Sequence, residues 1–109
     1  MLKITKNKIQ LTRGDTAQIK LAVTQDGQPY DFEKDTVVFS VKTSTTTPQY
    51  IFQKTVKDGV ILIRPEDTEN LQYGSYKYDV QLTTEAGDVC TIIPPDIFEV
   101  MPEVTWGAN

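Results

Sequence analysis

Hydrophobic and polar residues alternate along most of the chain, in short runs that are separated by turn residues. Residues 16–24 show the pattern most clearly, because Ile19, Leu21 and Val23 occupy every second position. Such a pattern predicts a β-strand with one buried face. Further runs of this kind cover residues 8–12, 36–42, 49–56, 60–64, 74–83, 89–93 and 97–100. The chain is therefore predicted to be an all-β sandwich of about seven to eight antiparallel strands.

Turn residues separate the predicted strands, and one longer segment, residues 65–71, breaks the alternation. Arg13, Gly14 and Asp15 are predicted to reverse the chain after the first run. Asp58 and Gly59 stand between the runs at 49–56 and 60–64, which is the strongest local hairpin signal in the sequence. Residues 65–71 begin with proline and continue with acidic residues, so they predict one short helical turn.

Composition supports one folded domain that spans residues 1–109. A chain of 109 residues is close to the ordinary size of a single domain, on the order of 100–150 residues. Its hydrophobic fraction of 39% is typical of globular proteins and well above that of disordered chains. We see no internal repeat, and a single hydrophobic core is expected.

The chain contains no histidine and a single cysteine, Cys90. Histidine is the commonest general acid or base and the commonest metal ligand, so Ser-His-Asp, Cys-His and His-metal sites are excluded. Cys90 lies in a strand-like run and is expected to be a small buried hydrophobic residue. No catalytic residue, metal ligand or cofactor site is therefore predicted, and an enzyme is the least favoured class of function.

The balance of charges is acidic, with 15 Asp and Glu against 11 Lys and Arg and a formal net charge of -4. This balance argues against nucleic acid as a partner, because binding to the phosphate backbone depends on clustered Lys and Arg. No apolar run approaches the roughly 20 residues of a bilayer span, and the first residues lack the apolar core of a signal peptide. A soluble protein made in the cytoplasm, without membrane insertion, is expected.

Two short motifs have a functional and a structural interpretation. Arg13-Gly14-Asp15 spells the integrin-recognition tripeptide, but the turn chemistry of glycine and aspartate favours a tight turn. The acidic groups at 26–35 and 66–69 contain carboxylates that could bind calcium, but their spacing does not match a calcium-binding loop. Solvated loop residues are expected in both groups.

Three aromatic residues are candidates for a protein interface. Alternation places Tyr76 and Tyr78 on the buried face of their strand, whereas Tyr50 and Tyr73 are expected at the surface. Trp106 lies near the end of the sequence, and tryptophan is enriched at the centres of interfaces. We expect Trp106 to pack on the last strand or on a neighbouring subunit.

The segment from Leu71 through Gly74 to Tyr76 resembles the corner before the sixth strand of immunoglobulin-like sandwiches, in which a tyrosine hydroxyl bonds to the upstream backbone. Tyr76 is the residue expected to make this bond. The resemblance implies an immunoglobulin-like arrangement of the strands, although the antibody cysteines are absent.

A second resemblance covers residues 9–105. The segments 13–16, 26–30, 71–80 and 97–100 are similar to small β-sandwich proteins of tailed bacteriophages, in particular to the N-terminal domain of upper baseplate proteins and to related tail or neck modules. The resemblance implies a non-enzymatic structural or adaptor protein of the virion. Its implied partners are other copies of itself, as a homo-oligomer, and other phage structural proteins.

A second class of function stays open from the residues alone. A carbohydrate- or ligand-binding module of a surface protein would use Tyr50, the polar loop at 43–48 and the acidic stretch at 31–35. In the first hypothesis the surface contacts other proteins of the virion, and in the second its loops contact a carbohydrate or another ligand.

Overall fold

The computed structural model describes residues 2–104, and this part of the chain contains ten β-strands and one short helix. The all-β prediction is confirmed. Two strands, at residues 2–5 and 28–29, fall outside the predicted runs. The elements are β1 (Leu2–Thr5), β2 (Lys8–Thr12), β3 (Ala17–Lys20), β4 (Thr24–Gln25), β5 (Gln28–Pro29), β6 (Thr36–Lys42), β7 (Phe52–Thr55), β8 (Val60–Ile63), α1 (Pro65–Thr68), β9 (Gly74–Thr83) and β10 (Val89–Met101).

Six of the strands form one sheet, in the order β1-β2-β10-β9-β6-β7. β3 pairs with β8 in a separate two-stranded sheet, and β4 pairs with β5 in a small hairpin. One pair departs from the predicted antiparallel arrangement, because β2 and β10 run parallel from Ile9 opposite Phe98 to Thr12 opposite Met101. β10 therefore joins the β1–β2 hairpin to the rest of the large sheet.

The hydrophobic core lies between the six-stranded sheet and the β3–β8 sheet. Ala17, Ile19, Ile61 and Ile63 of the smaller sheet are buried in one cluster with residues of the larger sheet. Alternation explains this arrangement, since every second side chain of each strand points to the same face. The buried residues of the larger sheet are Ile9, Leu11, Val37, Phe39, Val41, Tyr78, Val80, Leu82, Phe98 and Val100.

Aromatic rings occupy the centre of the core. The ring centroid of Phe39 lies 5.2 Å from that of Tyr78 and 6.1 Å from that of Phe98. Phe52 packs against Phe98 at 5.9 Å in an edge-to-face arrangement. The Tyr78 hydroxyl donates a hydrogen bond to the backbone carbonyl of Asn7, and burial raises the pKa of Tyr78 to about 12. The phenol therefore stays a donor at neutral pH and holds the β1–β2 turn against β9.

The Asp58-Gly59 turn forms, but the predicted hairpin around it does not. Both residues have positive φ angles, 53° and 72°, and Lys57 and Val60 exchange two backbone hydrogen bonds across the turn. These features are typical of a two-residue hairpin turn. Beyond the turn, however, β7 pairs with β6 and β8 pairs with β3. The turn thus carries the chain from one sheet to the other.

The Arg13-Gly14-Asp15 turn also connects the two sheets, since β2 and β3 belong to different ones. Gly14 has a φ of 82°, which an L-residue rarely adopts, and its N–H donates a 2.8 Å hydrogen bond to the Thr68 hydroxyl. Thr68 is completely buried at the end of α1. The prediction of a tight turn and that of a short helix are both confirmed, and the two elements contact each other.

Cys90 is exposed, so its predicted burial is wrong. It lies opposite Leu82, which is 5% exposed, and therefore belongs to the core face of the sheet. Among the described strands, however, β2 pairs only with residues 98–101 of β10, so residues 89–97 have a paired strand on one side alone. Cys90 is accessible because it sits on a sheet edge, which the sequence pattern does not reveal.

Replacement of Phe98 by alanine is expected to lower the free energy of unfolding by about 3–5 kcal/mol, because it opens a cavity among packed rings. The same strand offers a control in Cys90→Ala, which removes an exposed side chain and should change stability by less than about 0.5 kcal/mol. Urea denaturation of the two variants and the wild type measures both effects. Equal losses in the two variants would contradict this account of the core.

Candidate functional site

The structure places two of the three predicted interface residues. Tyr50 is 51% exposed and Tyr73 is 47% exposed, as expected for surface aromatic residues. Trp106 lies outside the described residues. Tyr50 follows β6 and Tyr73 precedes β9, and the two rings contact different groups. They therefore belong to two separate surfaces.

Tyr73 belongs to a polar cluster with Arg13 and Glu103, which we call the corner cluster. The guanidinium of Arg13 donates two hydrogen bonds to the Glu103 carboxylate, at 3.0 Å from Nε and 2.8 Å from Nη2. A third, from Nη1, reaches the Leu71 carbonyl at 3.1 Å. The Arg13 guanidinium carbon lies 4.3 Å from the centre of the Tyr73 ring, and the Tyr73 hydroxyl donates to Glu103 at 2.6 Å.

These contacts change the titration of the cluster. The pKa of Glu103 is lowered, first by the hydrogen bonds from Arg13 and then by the one from Tyr73. The hydrogen bond to Glu103 is also the main cause of the raised pKa of Arg13 and of Tyr73. The side chain of Arg13 is only 18% exposed. It is occupied within the fold, so the tripeptide does not present a protruding arginine for adhesion.

The predicted corner residues lie beside this cluster. The Tyr76 hydroxyl donates a 2.8 Å hydrogen bond to the carbonyl of Gln72. Gly74 has a φ of 135°, and Leu71 packs against the core. These three residues thus shape the entry of the chain into β9, while Leu71 also accepts the hydrogen bond from Arg13.

Tyr50 lies at a depression on the opposite face of the large sheet from the core, which we call the outer groove. Its volume is about 320 Å³. Its floor consists of the outward side chains of β6 and β9. Its sides are formed by Ser44, Thr45, Tyr50, Gln53 and Pro95. The floor residues are Val38, Ser40, Lys42, Lys77, Asp79 and Gln81.

Two lysines face each other on this floor. The pairing of β6 with β9 places Lys42 directly opposite Lys77. The ammonium of Lys42 lies 4.7 Å from the centre of the Tyr50 ring. Neither lysine forms an ion pair with any carboxylate of the described residues. Like charges directly opposite on neighbouring strands destabilise a sheet, so this pair is an unfavourable feature that the fold retains.

The acidic stretch at 31–35 lines a different depression, of about 700 Å³, together with the turn at 56–59. There the Tyr30 hydroxyl donates to Asp35, and Asp31 accepts from the backbone N–H of Glu33. The carboxylates of Asp31 and Asp35 are thus engaged in local hydrogen bonds. Tyr50 and this stretch, which the ligand-binding hypothesis combined, do not line the same depression.

Within residues 2–104, no group of three or more acidic or cysteine side chains is arranged to bind a metal ion. Nor does this part of the chain contain a helix with the length and apolar character that a membrane span requires.

A comparison with protein families identifies the chain. Residues 2–81 match the family model of the BppU N-terminal domain. The chain belongs to this family. The BppU N-terminal domain is that of the phage baseplate upper protein, so the chain is a phage baseplate structural protein and a component of the virion. No curated protein and no solved structure gives a significant match.

The segment matched by the BppU N-terminal domain includes Arg13, Tyr50 and the corner residues, but it ends within β9. β10 and Glu103 lie beyond it. The structure shows that β10 is nevertheless an interior strand of the large sheet. In this chain the folded unit therefore extends past the matched residues.

Replacement of Glu103 by glutamine is expected to destabilise the protein at neutral pH. The pKa of Glu103 in the folded state is below its ordinary value of 4.5, so its contribution exists above that value and is lost as pH falls through the folded-state pKa. The difference in melting temperature between wild type and Glu103→Gln should therefore shrink as the pH is lowered below about 4.5. Glu85→Gln, in an exposed turn, serves as the control with no such trend.

Replacement of Lys77 by glutamate is expected to stabilise the protein by about 0.5 kcal/mol, because it converts the opposed lysines into a pair of opposite charges. Lys20→Glu makes the same change of charge at an exposed position opposite Val60, and it should have little effect. Chemical denaturation at low salt measures both variants. A Lys77→Glu variant that is less stable than Lys20→Glu would contradict the description of the lysine pair.

Proposed function

We propose that this chain is a non-enzymatic assembly module of the phage baseplate, which acts as an adaptor through contacts with other copies of itself and with other baseplate proteins. The observation that carries the proposal is the family match over residues 2–81. The non-enzymatic part is supported by the lack of histidine in the sequence. The fold supplies a physical means of assembly, because its sheets have open edges.

β1 and β7 are the outer strands of the large sheet as described. An edge strand has unpaired backbone N–H and C=O groups, which can pair with a strand of another chain. The smaller sheet has only two strands, so β3 and β8 also have one unpaired side each within the described residues. The fold therefore offers several edges on which a partner chain could add a strand.

β1 has the features of a contact edge. Ile4 lies opposite Ile9, which is 3% exposed, and it therefore belongs to the core face of the sheet. At the sheet edge, however, Ile4 is 45% exposed. An apolar side chain beside an unpaired backbone is suited to a protein partner, because both the apolar area and the hydrogen-bonding groups become buried.

A comparison of the wild type with Ile4→Lys tests this function. Light scattering is expected to give a defined oligomer for the wild type, and mass spectrometry should detect the chain in purified virions of the phage that encodes it. Lysine on an edge strand opposes pairing, so the variant should show a lower mass or reduced incorporation. Circular dichroism should show that the variant keeps its β-sheet fold.

Thr24→Lys serves as the control, because it adds the same charge on the small β4–β5 hairpin, away from the large sheet. It should assemble like the wild type. A wild-type protein that is monomeric at all concentrations and absent from virions would refute the proposed function. Unchanged assembly of Ile4→Lys would refute the role of β1 alone.

A further inference from the structure

We propose that the outer groove binds an anionic saccharide unit, that is, a hydroxylated ring that bears a carboxylate or a phosphate. This inference goes beyond the assembly function and uses a different part of the molecule, since the groove lies on the outward face of β6 and β9 and not on the β1 edge. Three features of the groove support it: an unneutralised pair of positive charges, an exposed aromatic ring and unpartnered polar side chains.

The lysine pair provides the site for the anion. Lys42 and Lys77 are opposite each other in the β6–β9 register, and both are partly buried on the groove floor. Asp79 lies on the same face, yet neither lysine forms an ion pair with it or with any other described carboxylate. An anion placed between the two ammonium groups relieves their repulsion and receives charge-assisted hydrogen bonds from both.

Tyr50 provides an apolar face for the ring of a sugar. Tyr50 is 51% exposed, and the ammonium of Lys42 lies 4.7 Å from the centre of its ring. The tyrosine is therefore held at the groove beside the positive charge. An aromatic face next to a cation suits a ligand whose anionic group and apolar C–H face are close together.

The remaining floor residues suit the hydroxyl groups of a ligand. Gln53 donates a 3.0 Å hydrogen bond to Ser40, which fixes both side chains at the groove. The side chains of Asp79 and Gln81 have no hydrogen-bond partner among the described residues. A carboxylate accepts from hydroxyls, and an amide both donates and accepts, so together they can engage neighbouring hydroxyls of one ring.

The dimensions of the groove indicate a small ligand. Its volume of about 320 Å³ is at the lower end of the range for ligand pockets, roughly 300–1,000 Å³. Because the groove is a surface depression and leaves part of a ligand in water, a dissociation constant on the order of 1 mM is expected. Each test ligand should therefore be a single sugar at millimolar concentration.

Nuclear magnetic resonance of the 109-residue chain, labelled with ¹⁵N, tests the site. Glucuronic acid and glucose 6-phosphate are the probes, glucose is the neutral control, and acetate and inorganic phosphate are the controls for the anion alone. Both acidic sugars should shift the amide signals of residues 40–53 and 77–81 in a saturable manner. Glucose and the simple anions should bind at least about tenfold more weakly, since each lacks one half of the recognised chemistry.

Lys77→Glu and Lys20→Glu are the matched variants, because both make the same change of net charge. Lys77→Glu should lose binding of the acidic sugars at least tenfold while its melting temperature is unchanged or higher, so the loss cannot be attributed to unfolding. Lys20→Glu should bind like the wild type. Tyr50→Ala should weaken the acidic sugars but leave the weak response to acetate unchanged.

Four results would overturn the proposal: no saturable shifts with either acidic sugar, equal binding of glucose, equal binding of acetate or phosphate alone, or full binding by Lys77→Glu. None of them bears on assembly, which is measured by oligomer mass and by incorporation into virions. A failure of this site is thus distinguishable from a failure of the proposed function.

Discussion

The parallel pairing between β2 and β10 holds the two halves of the large sheet together. Residues 98–101 of β10 pair with β2 on one side, and residues 98–100 also pair with β9 on the other. Phe98 and Val100 are consequently among the most buried side chains, and Phe98 contacts the rings of Phe39 and Phe52. The end of β10 then delivers Glu103 to Arg13, so the corner cluster depends on the same register. A boundary drawn at the end of the matched family segment would remove all these contacts.

Strand positions were predictable because alternation is a local property. The runs at 8–12, 36–42 and 74–83 predicted β2, β6 and β9, and the proline and acidic residues at 65–67 predicted α1. Strand partners are not local. The Asp58-Gly59 turn has the expected conformation, but the strands on either side of it, β7 and β8, belong to different sheets. The strand at Leu2–Thr5 was not predicted, although Leu2 and Ile4 alternate with polar residues, and in the fold it pairs with β2.

The surface residues show the same limit. The exposure of Tyr50 and Tyr73 could be predicted from alternation and from their position in loops. Their contacts with Lys42 and Arg13 could not, because these depend on how distant parts of the chain are brought together. Alternation places Lys42 and Lys77 on the outward faces of their strands, yet only the β6–β9 register shows that they are opposite each other. Exposure of Cys90 could not be predicted either, because it depends on where β2 begins beside β10. The arrangement of the surface residues therefore depends on contacts between distant segments, which the alternation pattern does not reveal.

The central position of β10 also affects the order of folding. The hydrogen bond between Gln10 and Glu99 joins residues that are 89 positions apart, and the parallel pairing beside it has the same separation. Contacts of such long range slow folding, because loop closure must precede their stabilising effect. During synthesis on the ribosome, β1 and β2 emerge long before β10 does. Until then the apolar side chains of Ile9 and Leu11 lack their permanent neighbours, and a nascent chain at this stage is a suitable client for chaperones.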